Sequence, residues 1–181
     1  MHRNGIRLAA ALCLASLPAC NQLFWDDFEA DAVGETPLLS PAGEPAGDSL
    51  EPQGPGMIEV TSDAPIGEAK SLLLAGPGGD RRPRIIFTSA SFRDTGRAIP
   101  LRFRGRLSPG ASARINISGG TTHFGPQIDL ADGWVRIVGV EGPVGTYVPG
   151  GVHIVTVVLH PQSDTFTMTV AGRPAGERRQ L

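Results

Sequence analysis

Arg102, Arg104 and Arg106 alternate with Leu101, Phe103 and Gly105. In an extended chain, side chains two positions apart share a face. Three guanidiniums would then line one face at intervals of about 6–7 Å, with Arg114 adding a fourth from a neighbouring strand. Planar forks at that spacing suit arrays of carboxylates or phosphates. The competing reading is a solvated outer face neutralised by acids elsewhere in the chain. Asp26, Asp27 and Asp129 are candidate calcium ligands through their hard oxygens, and calcium is the one cofactor the sequence leaves open. Asp132 also carries such an oxygen, but it precedes Gly133 and reads first as a turn residue. Neutral sugars are held against aromatic rings, and beyond the N-terminal stretch the chain offers Trp25, Trp134 and Tyr147. Tyr147, in the turn from Gly145 to Gly151, is the one expected to be exposed and is the candidate aromatic contact. His153 and His160 differ in strand parity and lie about 23 Å apart at 3.3 Å per residue, so they cannot ligate one metal. They and His123 are read as structural or solvent-exposed.

The segment ahead of these residues decides where they work. His2, Arg3 and Arg7 precede an apolar run from Leu8 to Leu17, closed by Pro18, Ala19 and Cys20. A basic start, a short apolar stretch and a small residue before a cut describe a secretory leader, too short to remain as a membrane-spanning helix. Leu17-Pro18-Ala19-Cys20 resembles the lipobox of bacterial lipoproteins, with Pro18 a less usual second residue. The resemblance implies a leader over residues 1–19 and a mature chain beginning at a Cys20 that carries diacylglyceryl and, as a rule, a further acyl group such as palmitate. Several acyl chains would anchor the protein stably, where one alone would not. The alternative is an ordinary cut after Ala19 that leaves Cys20 as a core residue. Asn21 stands where Asp would favour inner-membrane retention, so by resemblance the outer membrane is the expected location.

Loss of the leader removes Cys13, and lipidation consumes Cys20. A disulfide scaffold, a cysteine-ligated zinc site and a cysteine nucleophile are thereby excluded from residues 20–181, a length suited to a single domain. The formal net charge of −2 conceals a division. Residues 21–68 hold 11 acids and no Lys or Arg, whereas residues 69–181 hold 14 bases and 7 acids. These stretches either complement each other in the fold or present opposite faces to partners. No nucleic-acid partner is expected.

Positioning the arginines requires strands, and alternation supplies them. Beyond Pro100 to Leu107, period-2 patterns run through Ala113 to Ser118, Trp134 to Val140 and Thr165 to Val170. Asp132-Gly133 predicts a hairpin turn whose first arm begins near Gln127. Val152 to Leu159 is apolar at both parities, which predicts a central strand covered on both faces. Lys70 to Ala75 and Arg84 to Phe92 complete roughly eight to ten strands, and no segment carries a helical period. With 24 Gly and 16 Pro, tight turns are abundant. The Pro/Gly-rich stretch 34–56 shows no period and is expected to be a packed or mobile excursion from the domain. The fold expected is all-β: an antiparallel β-sandwich or barrel.

Leu23-Phe24-Trp25-Asp26-Asp27-Phe28-Glu29, with Gly34 downstream, resembles the opening segment of bacterial concanavalin A-like lectin/glucanase (LamG-like) domains. Gly151-Val152-His153-Ile154-Val155-Thr156-Val157 and Thr165 to Gly172 are similar to the closing segments of that family. The resemblance implies a jelly roll and no particular activity. Gly47-Asp48-Ser49-Leu50 spells the nucleophile block of GDSL esterases. However, no apolar strand precedes it, and Val157 stands where the acid three residues before His160 would be needed. Glu29-Ala30-Asp31 begins the carboxylate pattern of a glucanase, but Gly34 replaces its last Glu.

The sequence therefore predicts a non-catalytic, membrane-anchored envelope lipoprotein: a binding or structural module for acidic glycan or another envelope protein. The alternatives are a glycan-active hydrolase or lyase with an unrecognised site, and a purely architectural envelope protein.

Overall fold

Where apolar and polar residues alternate, the chain is extended. The computed structural model describes residues 5–9, 28–37, 49–66, 68–76, 83–88, 98–117, 125–175 and 179–180. Its strands are β1 (Gly5–Ala9), β2 (Ser49–Gln53), β3 (Met57–Thr61), β4 (Ser71–Ala75), β5 (Arg84–Thr88), β6 (Ile99–Leu107) and β7 (Ser112–Asn116). They continue with β8 (Gln127–Ala131), β9 (Trp134–Ile137), β10 (Gly145–Thr146), β11 (Val152–His160), β12 (Thr165–Val170), β13 (Arg173–Pro174) and β14 (Arg179–Gln180). Among the described residues, helix is confined to one 3₁₀ turn, Pro161–Ser163.

The large sheet runs β13-β12-β11-β6-β1-β4-β3, with β14 also on β12. A four-stranded sheet runs β10-β9-β8-β7, and β2 pairs with β5. Neighbouring strands are antiparallel throughout. The main core lies between the two larger sheets. Val155, Val157, Leu159, Phe166, Met168 and Val170 meet Ile128, Leu130, Val135 and Ile137 there, as in a β-sandwich. Burial of each such side chain contributes about 1.5–3 kcal/mol, so this cluster dominates the apolar stabilisation. A second cluster lies under β3 and β4, where Phe28, Val60, Leu72 and Leu74 pack together, with Ile58 and Ile85 against them. β1 is the seam between the half of the large sheet over the main core and the half over the second cluster.

Two expectations are corrected. β11 is central, between β6 and β12, but His153, Val155, Val157 and Leu159 are buried while the opposite face is only half-buried. That face is the outside of the sandwich, where Thr156 lies opposite Arg102 and Thr169. Within the stretch 34–56, Ser49–Gln53 forms a strand with β5 rather than an irregular excursion. Pro52 is tolerated because β2 is an edge strand and has no second ladder to interrupt. β1 lies within the stretch read as a leader, where its short Ile6-Arg7-Leu8 alternation merges with the apolar run that follows.

Candidate functional site

The outer face of the four-stranded sheet carries polar residues in cross-strand rows, because every second residue of β7, β8 and β9 is directed away from the core. One row is Arg114, Asp129 and Arg136, paired in register. The next is Ser112, Ala131, Trp134 and Thr146. On the far side lie Asn116 and Gln127. Val135 and Ile137, at the intervening positions of β9, are buried. The same alternation lifts Trp134 out of the core, leaving it 44% exposed.

Two local features hold Trp134 in place. Asp132 and Gly133 both have positive φ, 51° and 81°, the signature of a type I′ hairpin turn. Tyr147 N–H donates to the Gly133 carbonyl at 2.9 Å, fastening the turn to the strand beside it. Ala131, next to Trp134 in register, is too small to fill the space beside the ring. The resulting shallow depression of about 180 Å³ is lined by Ser112, Ala113, Arg114, Asp129, Leu130, Ala131, Trp134 and Arg136.

Arg114 and Asp129 form a two-point ion pair: Nε donates to Oδ1 at 2.6 Å and a terminal NH₂ to Oδ2 at 2.8 Å. Its direct hydrogen bond, together with the carboxylate's charge, raises the Arg114 pKa. The bridge holds the guanidinium against the Asp129 carboxylate, with the exposed Arg136 on Asp129's other side. A flat ring, a fixed carboxylate and a second cation suit a sugar ring carrying hydroxyls and a negative group.

The arginine stripe predicted as the binding face is divided. Arg102, Arg104 and Arg106 share the outer face of β6 but are half-buried, and Arg106 donates to the Ala64 carbonyl at 3.1 Å. Nε of Arg104 and of Arg106 is shielded from solvent and has no hydrogen-bond partner among the described residues. Arg114 belongs to the other sheet, not to a neighbour of β6.

The aromatic expectation is reversed. Tyr147 is only 8% exposed, part of the main core, and its ring packs at a tilt against His153 with centroids 4.9 Å apart. Among the described residues the exposed aromatic is Trp134. The signal was present in Trp134-Val135-Arg136-Ile137, whose alternation after a tight turn puts Trp134 and Arg136 on one face. Burial lowers the His153 pKa, outweighing the contrary pull of the Gly151 backbone. His160 is half-buried at the far end of β11, and His123 lies outside the described residues.

Asp129, a candidate calcium ligand, is engaged by Arg114, whereas Asp26 and Asp27 lie outside the described residues, as do Cys20, Gly47 and Asp48. Among the described residues no three His, Cys, Asp or Glu side chains cluster as a metal site would require. Asp132 is exposed in its turn. Glu29, the start of the partial glucanase pattern, accepts hydrogen bonds from the backbone N–H of Ala69 and Lys70 at 2.8 and 2.9 Å. Burial raises its pKa, but those amides and the Lys70 charge outweigh it and hold the carboxyl below its ordinary value.

Comparison of the chain with protein-family models, with curated proteins and with solved structures finds no match.

Proposed function

We propose that the chain is a lipid-anchored envelope protein that binds acidic glycan, without catalysis, on the outer face of its four-stranded sheet. The observation that carries this reading is Trp134, an exposed ring beside the Arg114–Asp129–Arg136 row and over the depression left by Ala131. Glycan recognition couples such a ring to groups that read hydroxyls and charge, and all of them here stand on strands. The anchor is Cys20 after the leader 1–19, in the outer membrane, and the sandwich is of the concanavalin A-like jelly-roll kind. The two larger antiparallel sheets around the main core support that type, and the lipobox-like sequence supports the anchor. Binding is favoured over glycoside hydrolysis because hydrolysis employs two carboxyl groups flanking the bond. In the depression the carboxylate is Asp129, already held by Arg114.

The test is a glycan-array and lipopolysaccharide binding assay on the processed lipoprotein in detergent, with and without calcium, at low and physiological salt. The expected result is salt-sensitive binding to acidic glycans, weakened at least ~10-fold by Trp134→Ala or Arg136→Ser. Replacing Arg102, Arg104 and Arg106 together by Ser should weaken it far less. Absence of binding under every condition would overturn the glycan reading and leave the architectural one.

A further inference from the structure

The outer face of the four-stranded sheet is zoned along its strands. Arg114, Asp129 and Arg136 form a charged row, and the next row runs from Ser112 over Ala131 to Trp134. The two rows lie two residues apart, about 7 Å along each strand. Within a row, neighbouring positions are one strand spacing apart, about 5 Å, so the two arginines stand on strands about 10 Å apart. Between them is a carboxylate, and the charges therefore alternate in sign across β7, β8 and β9.

We propose that this face binds a glycan in which acidic and neutral sugars alternate, and that Asp129 selects that pattern over a chain charged at every sugar. The inference rests on the acidic-glycan reading above and specifies the repeat that it leaves open.

The spacing fits one sugar per strand. In an extended, equatorially linked glycan each pyranose advances by close to one strand spacing, so three sugars laid across the strands follow the row from Trp134 to Ser112. The depression covers these two rows over the same three strands. A sugar stacked on the Trp134 ring has one edge toward Arg136, which shares the exposed face of β9 two residues on. The next lies over Ala131, whose small side chain leaves room for it, with an edge toward Asp129. The third lies over Ser112, with an edge toward Arg114. Acidic groups on the first and third sugars then meet guanidiniums, which donate to carboxylates through charge-assisted hydrogen bonds.

The middle position is different in kind. Both Asp129 oxygens accept from Arg114, at 2.6 and 2.8 Å, which holds the carboxylate ionised and in place. An ionised carboxylate only accepts, so it is suited to a hydroxyl or amide N–H of a neutral sugar. An acidic sugar there would bring a further carboxylate to the strand that already presents one, and like charges brought together cost affinity. Two guanidiniums and one carboxylate also leave the row only weakly cationic, which favours a sparsely charged chain over a dense one. Arg114 spends Nε and one terminal nitrogen on Asp129, and its other terminal nitrogen stays outside that pair to meet the third sugar. Because all six residues stand on paired strands or at their ends, the spacing is set by the sheet.

The experiment is calorimetric titration of the processed lipoprotein in detergent with three hexasaccharides. One is hyaluronan, in which glucuronate alternates with N-acetylglucosamine; one is oligomannuronate, with a carboxylate on every sugar; one is the neutral N-acetylglucosamine oligomer. Expected is hyaluronan binding at least ~10-fold tighter than either of the others. Asp129→Asn should bring the two acidic ligands within ~3-fold of each other, whereas Arg136→Ser should weaken both. A loss of structure alone would weaken them together without changing their ratio. Oligomannuronate binding wild type as tightly as hyaluronan, or neither binding while acidic glycans on the array still bind, would overturn the alternation and leave the acidic-glycan reading standing. An unchanged ratio in Asp129→Asn would overturn Asp129 as the selecting residue. Absence of any acidic-glycan binding, on the array as well, would overturn both readings.

Discussion

Glu29 and Lys70 clasp each other reciprocally, each side chain bonding to the other's backbone. Glu29 Oε1 accepts from the Lys70 N–H at 2.9 Å, while Lys70 Nζ donates to the Glu29 carbonyl at 2.7 Å and to the Asp31 carbonyl at 2.6 Å. The clasp fixes the 28–31 turn against the start of β4, and with it the burial of Phe28, whose φ of 62° is a strained conformation for a residue with a side chain. Here one acid of the acid-rich stretch meets the first base of the base-rich one.

Glu29→Ala should therefore destabilise the fold by about 1–2 kcal/mol, since it removes two hydrogen bonds to the carboxylate, each worth roughly 0.5–1 kcal/mol once solvent competition is allowed for. Its folded pKa is depressed, so the stabilisation is present above the unfolded carboxylate pKa and is lost as pH falls through the folded value. Thermal denaturation of Glu29→Gln and wild type should differ at pH 7 and converge toward pH 3. A constant difference across that range would show that the carboxylate charge is not what matters.

Asp129→Asn should separate binding from stability. The Arg114–Asp129 pair is largely solvent-exposed, and such pairs contribute about 0–1 kcal/mol, so the melting temperature should move by no more than a few degrees. Glycan affinity should fall much further, because Arg114 loses the contact that orients it. Calorimetric titration beside a melting curve reads both. Equal losses in the two would mean that Asp129 is merely structural.

The extent to which the fold was legible follows from which residues report on themselves. Thr165 to Val170 alternates because one face meets the core and the other meets water, and it is a strand as expected, whereas the segment expected from Trp134 to Val140 is a strand only to Ile137, where the chain turns. Asp132-Gly133 named its own turn. Gly5–Ala9 was not legible as a strand, because its Ile6-Arg7-Leu8 alternation is short and runs straight into the apolar stretch that reads as a leader. Tyr147 misled for a related reason. A turn location predicts exposure only if nothing packs beneath it, and His153 on β11 does. The Arg102–Arg106 alternation was read correctly as a shared face. What a strand pattern cannot convey is that the chain near Ala64 returns over that face to engage Arg106.

His153 should make the fold sensitive to mild acid. Its folded pKa is lowered by burial, so the unfolded chain binds a proton at a higher pH than the folded chain does. Stability should be unaffected above about pH 7 and should decline as pH drops through the unfolded histidine value near 6.5, continuing until the folded value is passed. His153→Phe, which keeps a ring against Tyr147, should flatten the melting temperature between pH 7.5 and 5.5. A profile in that interval that is the same for both proteins would place the sensitivity elsewhere.

Gly133→Ala tests whether the hairpin turn presents Trp134. At φ 81° a side chain is strained, and the added Cβ would lie 3.3 Å from the Tyr147 carbonyl oxygen, closer than ordinary contact. The cost should be about 1–2 kcal/mol, a drop of roughly 2–8 °C in melting temperature. If the turn also sets the ring's position on the outer face, glycan affinity should fall at a temperature where the variant is still folded, while far-ultraviolet circular dichroism stays unchanged. Trp134→Ala in the Gly133→Ala background should then lose less affinity than Trp134→Ala alone, because the first change has already displaced the ring. Independent, additive losses would assign the turn to stability and the ring to binding, with no coupling between them.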